Sequence, residues 1–131
     1  MSARQVIRNL SIGDLVRYRL PVPGVVSILH RVSGALMFLL LPLTLWLLDL
    51  SLRSELSYQQ LRQVASGWFA KLVLSALAWA LLHHLVAGLR HLALDLDLGV
   101  DRIAARRSAW MVFVLSVPLA LWAALIIFGV M

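Results

Sequence analysis

Three long stretches without Asp, Glu, Lys or Arg constrain this chain more than any other feature. They are residues 32–48, 72–89 and 108–131. A helix that crosses the roughly 30 Å hydrocarbon core of a bilayer needs about 20 mostly apolar residues. The first stretch is too short by itself, but apolar residues continue backward through Val25, so Arg31 is expected inside the helix and near one membrane face.

The stretches predict an all-α membrane protein with three transmembrane helices, which together form a single transmembrane domain over residues 1–131. We expect these helices at approximately 24–52, 68–95 and 105–131. If the connection between the first two helices faces outward, its segment from Leu56 to Trp68 is expected to form an interfacial helical piece rather than a domain.

Composition excludes several other classes of protein. Hydrophobic residues make up 62% of the chain and charged residues 14%, whereas soluble proteins have about 45–50% apolar and about 25% charged residues. A water-soluble globule is therefore excluded. Because the chain has no cysteine, it cannot contain disulfides, cysteine-ligated iron–sulfur clusters, zinc–thiolate sites or covalently attached c-type haem.

Basic residues set the predicted orientation. Of 12 Lys and Arg residues, nine lie in residues 1–31 and 90–107, and the other three are Arg53, Arg62 and Lys71. Since basic flanks stay in the cytoplasm, we expect a cytoplasmic N-terminus and a periplasmic C-terminus. We interpret the excess positive charge as contacts with lipid headgroups, and nucleic acid is not expected as a partner. The absence of a transit-like leader favours a bacterial inner membrane.

Two clusters of polar residues fall within the predicted spans, where ionisable groups are costly and usually functional. In a helix, positions i, i+4, i+7 and i+11 share one face. One such stripe, on the second span, consists of His84, Gly88, His91 and Asp95. The other, on the first span, consists of Ser27, His30, Arg31, Gly34 and Phe38.

The His84 stripe has two interpretations that the spacing leaves open. A glycine one turn from an imidazole allows a flat macrocycle to approach, so His84 with Gly88 is a candidate b-type haem site. The stripe can equally pack helices, with imidazoles bonded across the bundle. His84 and His91 point the same way about 10 Å apart, so a second axial ligand must come from His30 or from another subunit. The small bundle favours the other subunit.

Arg31 also has two interpretations. An arginine near a helix end commonly extends its charge to the headgroups, and this reading is favoured for Arg31 taken alone. Its planar array of donors can also bind haem propionates or polarise a carbonyl, and Ser27 one turn away can donate to the same ligand. The presence of His30 and Ser27 beside it strengthens the ligand-binding interpretation.

Both clusters resemble motifs of a known family. The segments Ser27-Ile-Leu-His-Arg-Val-Ser-Gly34 and His84-Leu-Val-Ala-Gly-Leu-Arg-His91 are similar to the two signatures of the cytochrome b membrane-anchor subunit of succinate dehydrogenase, respiratory complex II. The resemblance covers nearly the whole chain. One departure is Arg19-Leu-Pro-Val-Pro-Gly24, where many members have Arg-Pro-x-Ser-Pro-His.

The resemblance implies a haem b-binding anchor subunit of succinate:ubiquinone oxidoreductase, paired with a second small membrane-anchor subunit beneath an iron–sulfur subunit and a flavoprotein subunit. It implies that His84 is an axial ligand of the haem iron, with the other ligand from the partner anchor. It also implies that Ser27 and Arg31 help form the ubiquinone site, with His30 and Arg31 near the haem propionates. His83 is left out of the ligand set, and the role of His91 stays open.

The chain itself would hold no flavin and no succinate site, so no catalytic residue is assigned, although it would be a subunit of an enzyme. Two alternatives remain at this point. One is the anchor of a fumarate reductase that runs the reverse reaction. The other is a cofactor-free structural anchor, held by small-residue contacts such as Ser33-Gly34-Ala35.

Overall fold

The computed structural model describes residues 20–129, and within that range all regular structure is helical. The helices are α1 (Val22–Arg53), α2 (Glu55–Ala65), α3 (Trp68–Asp95) and α4 (Arg102–Phe128). Three of them, α1, α3 and α4, are long and apolar enough to cross a membrane. The predicted all-α membrane architecture with three spanning helices is confirmed.

The predicted orientation depends in part on residues outside this range. Four of the nine arginines counted for the cytoplasmic side lie in residues 1–19, and the predicted third span extends to residues 130–131; none of these is described. The cytoplasmic N-terminus and periplasmic C-terminus therefore stay predictions.

Prolines and serines explain where α1 begins and ends. Pro21 precedes the helix in an extended conformation and Pro23 occupies its first turn, where the missing N–H has no intrahelical partner to lose. The helix ends at Arg53, and the next residue, Ser54, has an extended backbone. Ser54 then caps α2 through a reciprocal capping box with Ser57, in which the Ser57 backbone N–H donates to Ser54 Oγ at 3.1 Å.

A tight turn reverses the chain between α3 and α4. Asp97 and Gly99 adopt positive φ angles of 59° and 72°, a region that costs glycine little and that aspartate tolerates better than most residues. The Asp101 carboxylate then caps α4 by accepting from the backbone N–H groups of Ile103 and Ala104. Because the turn is short, α3 and α4 run antiparallel and pack along their length.

The packed interior is small and made of small side chains, with α3 in contact with both α1 and α4. The core cluster consists of Val26, Ala87, Ala109 and Val112. Small residues let helix backbones approach closely in a membrane, where packing rather than water exclusion drives association. Large apolar residues such as Phe38 and Leu39 are about three-quarters exposed, as expected for surfaces that face lipid or another subunit.

Candidate functional site at the contact between α1 and α3

Three imidazoles meet where α1 crosses α3. The rings of His30 and His84 are stacked, with centroids 4.1 Å apart and planes 13° from parallel. The ring of His91 lies 5.0 Å from that of His30 at a tilt of 45°. His30 on α1 is therefore close to both histidines of the α3 stripe, and the two polar clusters of the sequence form one site.

The imidazole of His84 is held by the backbone of α1. Its Nδ1 lies 3.0 Å from the His30 carbonyl oxygen and 3.2 Å from Ser33 Oγ. A carbonyl oxygen can only accept a hydrogen bond, so Nδ1 carries the proton and Nε2 has a free lone pair. The Ser33 hydroxyl donates to the same carbonyl at 2.9 Å, so its oxygen can accept from Nδ1.

Two glycines make room for these rings in a reciprocal way. A Cβ added to Gly34 would lie 2.8 Å from His84 Cε1, closer than real Cβ atoms approach. A Cβ added to Gly88 would lie 3.3 Å from His30 Nε2. Each helix thus provides a glycine opposite the histidine of the other. Close approach at Gly88 was expected from the sequence, and the group that lies there in this chain is the His30 imidazole.

The predicted quinone residues lie beside this site on α1. Ser27 is half-buried and Arg31, one turn later, is exposed. Residues four apart on a helix are neighbours on its surface, so the hydroxyl and the guanidinium are available to one ligand at the edge of the histidine cluster. The structure brings His30, His84, Gly34 and Gly88 together in the interior and leaves Arg31 facing outward.

Sequence reasoning missed the role of Ser33, which was noted only as a small residue. Ser33 is 3% exposed and touches both histidines. Its position three residues after His30 was an available signal, because a serine hydroxyl commonly bonds to the carbonyl three or four residues earlier in a helix.

His83 points toward a different helix contact from His84, since successive residues of a helix point about 100° apart. It is fully buried between α3 and α4, with its ring centroid 5.4 Å from that of Trp79 and 5.7 Å from that of Phe113. Its Nδ1 lies 3.5 Å from Ser116 Oγ, and its Nε2 has no hydrogen-bond partner among the described residues. Leaving His83 out of the ligand set stays a prediction.

The cluster does not supply a complete coordination sphere by itself. Among residues 20–129, no three His, Cys, Asp or Glu side chains are placed to hold a metal ion together. What the chain offers is single imidazole nitrogens, such as Nε2 of His84. A single imidazole nitrogen from one subunit would suit a haem iron, because the porphyrin supplies four of the iron's ligands and another subunit can supply the remaining one.

Comparison with known proteins identifies relatives over most of the chain. Residues 7–126 match the family described as succinate dehydrogenase/fumarate reductase transmembrane subunit. The chain is 40% identical over 105 residues to the succinate dehydrogenase cytochrome b556 subunit of Coxiella burnetii, covering 79% of this chain and 83% of that one. It is 32% identical over 111 residues to the subunit of the same name from Paracoccus denitrificans, covering 85% of each.

Proposed function

The chain belongs to the family of transmembrane subunits of succinate dehydrogenase and fumarate reductase, and on that premise we propose that it binds haem b and forms part of the ubiquinone site of succinate:ubiquinone oxidoreductase. Its relatives are named as succinate dehydrogenase subunits, which favours succinate oxidation over the fumarate reductase alternative. With three apolar helices, the chain is a multi-pass protein of the bacterial inner membrane.

The environment of His84 fits a haem ligand. Histidines that bind metals usually donate their other ring N–H to a carbonyl or carboxylate, which fixes the tautomer and the ring orientation. The His30 carbonyl does this for Nδ1 of His84 at 3.0 Å, so Nε2 is left with the lone pair that iron requires. This contact is the single observation that carries the haem proposal.

The stacking of His30 on His84 indicates that His84 would share the haem iron with a residue of a partner anchor subunit and not with His30. Two rings that are nearly parallel with centroids 4.1 Å apart are in direct contact, so no macrocycle fits between them. His30 would therefore not hold the same haem iron as His84. We assign His30 and Arg31 to the haem propionates instead, since guanidinium groups bind carboxylates with paired hydrogen bonds.

In the proposed quinone site, Ser27 and Arg31 bind and polarise a carbonyl oxygen of ubiquinone. Electrons would reach the membrane from the iron–sulfur and flavoprotein subunits, and haem, when bound, would supply a one-electron redox centre. The Ser27 hydroxyl and the Arg31 guanidinium donate to the carbonyl as negative charge develops there, which is the kind of electrostatic stabilisation that speeds charge-forming steps. Protons come from nearby water or from a partner residue.

Substitution of these two residues tests the quinone proposal. In the purified complex, Arg31→Ala and Ser27→Ala should each lower succinate:ubiquinone reductase activity, by about tenfold or more for the arginine. Succinate oxidation coupled to an artificial dye should persist, because it bypasses this site. Arg53→Ala is a matched control, since Arg53 is an exposed arginine at the opposite end of the same helix.

Unchanged quinone reductase activity in both Ser27→Ala and Arg31→Ala would remove the site assignment. The haem proposal is tested separately by the absorption spectrum of the purified complex. A complex that assembles and lacks a b-type band would favour the cofactor-free structural anchor.

A further inference from the structure

Arg90 is a buried cation on the side of α3 that faces α4. It is 9% exposed. Its Nε donates to Ser108 Oγ at 2.9 Å and its Nη2 donates to the Ala105 carbonyl at 3.1 Å. Both acceptors are neutral, and they use two of the five N–H groups that a guanidinium carries.

No counter-charge for Arg90 is found among residues 20–129. The ion pair in this range joins Arg53 and Asp49, at the other end of the bundle. Burying a charge without an opposite charge is strongly unfavourable, and an arginine stays protonated under physiological conditions. An anion from outside the described part of the chain is therefore expected beside Arg90.

A groove between α3 and α4 opens onto this guanidinium. It has a volume of about 360 Å³, and Arg90 and Ser108 are the polar side chains in its lining. The other lining residues are apolar and come from both helices, including Leu89, Leu94 and Met111. The groove therefore fits a molecule with one anionic group and a hydrocarbon portion.

Depth within the membrane points to the same kind of molecule. The 28 residues of α3 span about 42 Å, and the hydrocarbon core is about 30 Å thick, so roughly 6 Å of helix extends beyond it at each end. Arg90 lies five residues before the end of α3 at Asp95, which is about 8 Å. The backbone of Arg90 is thus about 2 Å inside the edge of the hydrocarbon core, and its long side chain is within reach of the headgroup region just beyond.

We propose that the groove between α3 and α4 binds an anionic phospholipid, with its phosphate against Arg90 and one acyl chain along the apolar wall. Guanidinium groups form paired, charge-assisted hydrogen bonds with phosphate, and basic pockets between membrane helices bind anionic headgroups. An anionic lipid is favoured over a zwitterionic one because a zwitterionic headgroup brings its own cation and leaves the charge of Arg90 uncompensated.

The test measures lipid retained by the whole complex. The complex is purified in mild detergent and washed extensively, and the phospholipids are extracted and quantified per complex by mass spectrometry. The wild type should retain an anionic phospholipid. Arg90→Gln should lower that amount by about tenfold, and Arg90→Lys should keep an intermediate amount. Arg107→Gln, at an exposed arginine of α4, should retain the wild-type amount.

Two further measurements test the same lipid site if the complex that carries Arg90→Gln does not assemble. Ala93→Phe places a large side chain in the groove and leaves the guanidinium unchanged, and it should lower retention to a similar extent. A photo-crosslinking amino acid at Met111, which also lines the groove, should form a lipid adduct.

Three results would overturn the proposal. Equal loss in Arg107→Gln and Arg90→Gln would indicate diffuse attraction of lipids by any arginine. Retention of zwitterionic lipid alone would contradict the role assigned to charge. A protein adduct from Met111 would show that a partner subunit covers the groove.

Discussion

His83 and His84 are consecutive residues of α3 with opposite surroundings. His84 faces α1, where its Nδ1 lies 3.0 Å from a backbone carbonyl and its ring is half-buried. His83 faces α4, where it is fully buried against Trp79 and Phe113, and its Nδ1 lies 3.5 Å from Ser116 Oγ. Successive residues of a helix point about 100° apart, so the two imidazoles belong to different helix contacts.

The comparison shows that burial alone does not identify a ligand. His83 is the more buried of the two, yet its contacts are those of a packed core residue. His84 has one nitrogen bonded to a fixed acceptor and the other left with a lone pair, and this asymmetry is what a metal ligand requires. If this asymmetry determines haem binding, the same substitution at His83 and at His84 should change the haem content of the complex to different extents.

The largest expected effect separates the two histidines directly. Leucine has nearly the volume of histidine and no ring nitrogen, so His84→Leu should abolish most of the b-type absorption of the purified complex. His83→Leu should retain it, because that ring is directed at α4. The absorption spectrum of each variant, normalised to protein, gives the comparison. Loss of the band in both variants, or its retention in His84→Leu, would contradict the assignment.

A smaller effect is expected from the glycine opposite His84. Gly34→Ala would place a Cβ 2.8 Å from His84 Cε1, so the imidazole must shift. Alanine is favoured over glycine in a helix by about 1 kcal/mol, so any loss comes from the clash and not from helix propensity. We expect haem content to fall several-fold while the complex still assembles.

Gly24→Ala is the matched control for that variant. It lies on the same helix, and an added Cβ there would have its nearest atoms at 3.7–3.8 Å, which is ordinary contact. Haem content should stay at the wild-type value in Gly24→Ala. Equal losses of haem in Gly34→Ala and Gly24→Ala would show that α1 does not tolerate replacement of either glycine by alanine. The specific role assigned to Gly34 would then be wrong.

Much of the fold could be predicted from the sequence, because membrane insertion leaves a strong signal. A spanning helix needs an uncharged apolar stretch, and the three stretches are visible without any knowledge of packing. The sequence places the helix ends only approximately. Helix α1 continues to Arg53, where residue 52 is predicted, and α4 begins at Arg102, where residue 105 is predicted. Charged side chains at helix ends extend into the headgroup region, so the end of an uncharged stretch does not mark the end of a helix.

The candidate site was only partly predictable. Periodicity places His84, Gly88 and His91 on one face of a helix, but it does not tell which neighbouring helix that face meets. The pairing of Gly34 with His84 and the contact between Ser33 and Nδ1 of His84 depend on the relative position of α1 and α3. Such a position is set by small-residue packing spread over both helices, which leaves no local motif.

The smallest expected effect concerns Ser33, which contacts His84 without holding it alone. In Ser33→Ala the His30 carbonyl still accepts from Nδ1 of His84, so haem should be retained and its content should fall by much less than the 10–100-fold typical for loss of a main supporting contact. The substitution removes Ser33 Oγ, one of the two oxygens that can accept a hydrogen bond from Nδ1 of His84. With fewer acceptors for its N–H group, the His84 imidazole becomes less electron-rich. We therefore expect a small rise in the haem reduction potential, measured by redox titration.

Ser75→Ala provides the comparison for that measurement. Ser75 lies on α3, and its hydroxyl donates to the Lys71 carbonyl at 2.8 Å, so the substitution removes a similar intrahelical bond away from the histidines. The potential should be unchanged in Ser75→Ala. If both serine variants keep the wild-type potential, the hydroxyl of Ser33 does not act on the ring, and the His30 carbonyl alone distinguishes His84 from its neighbour.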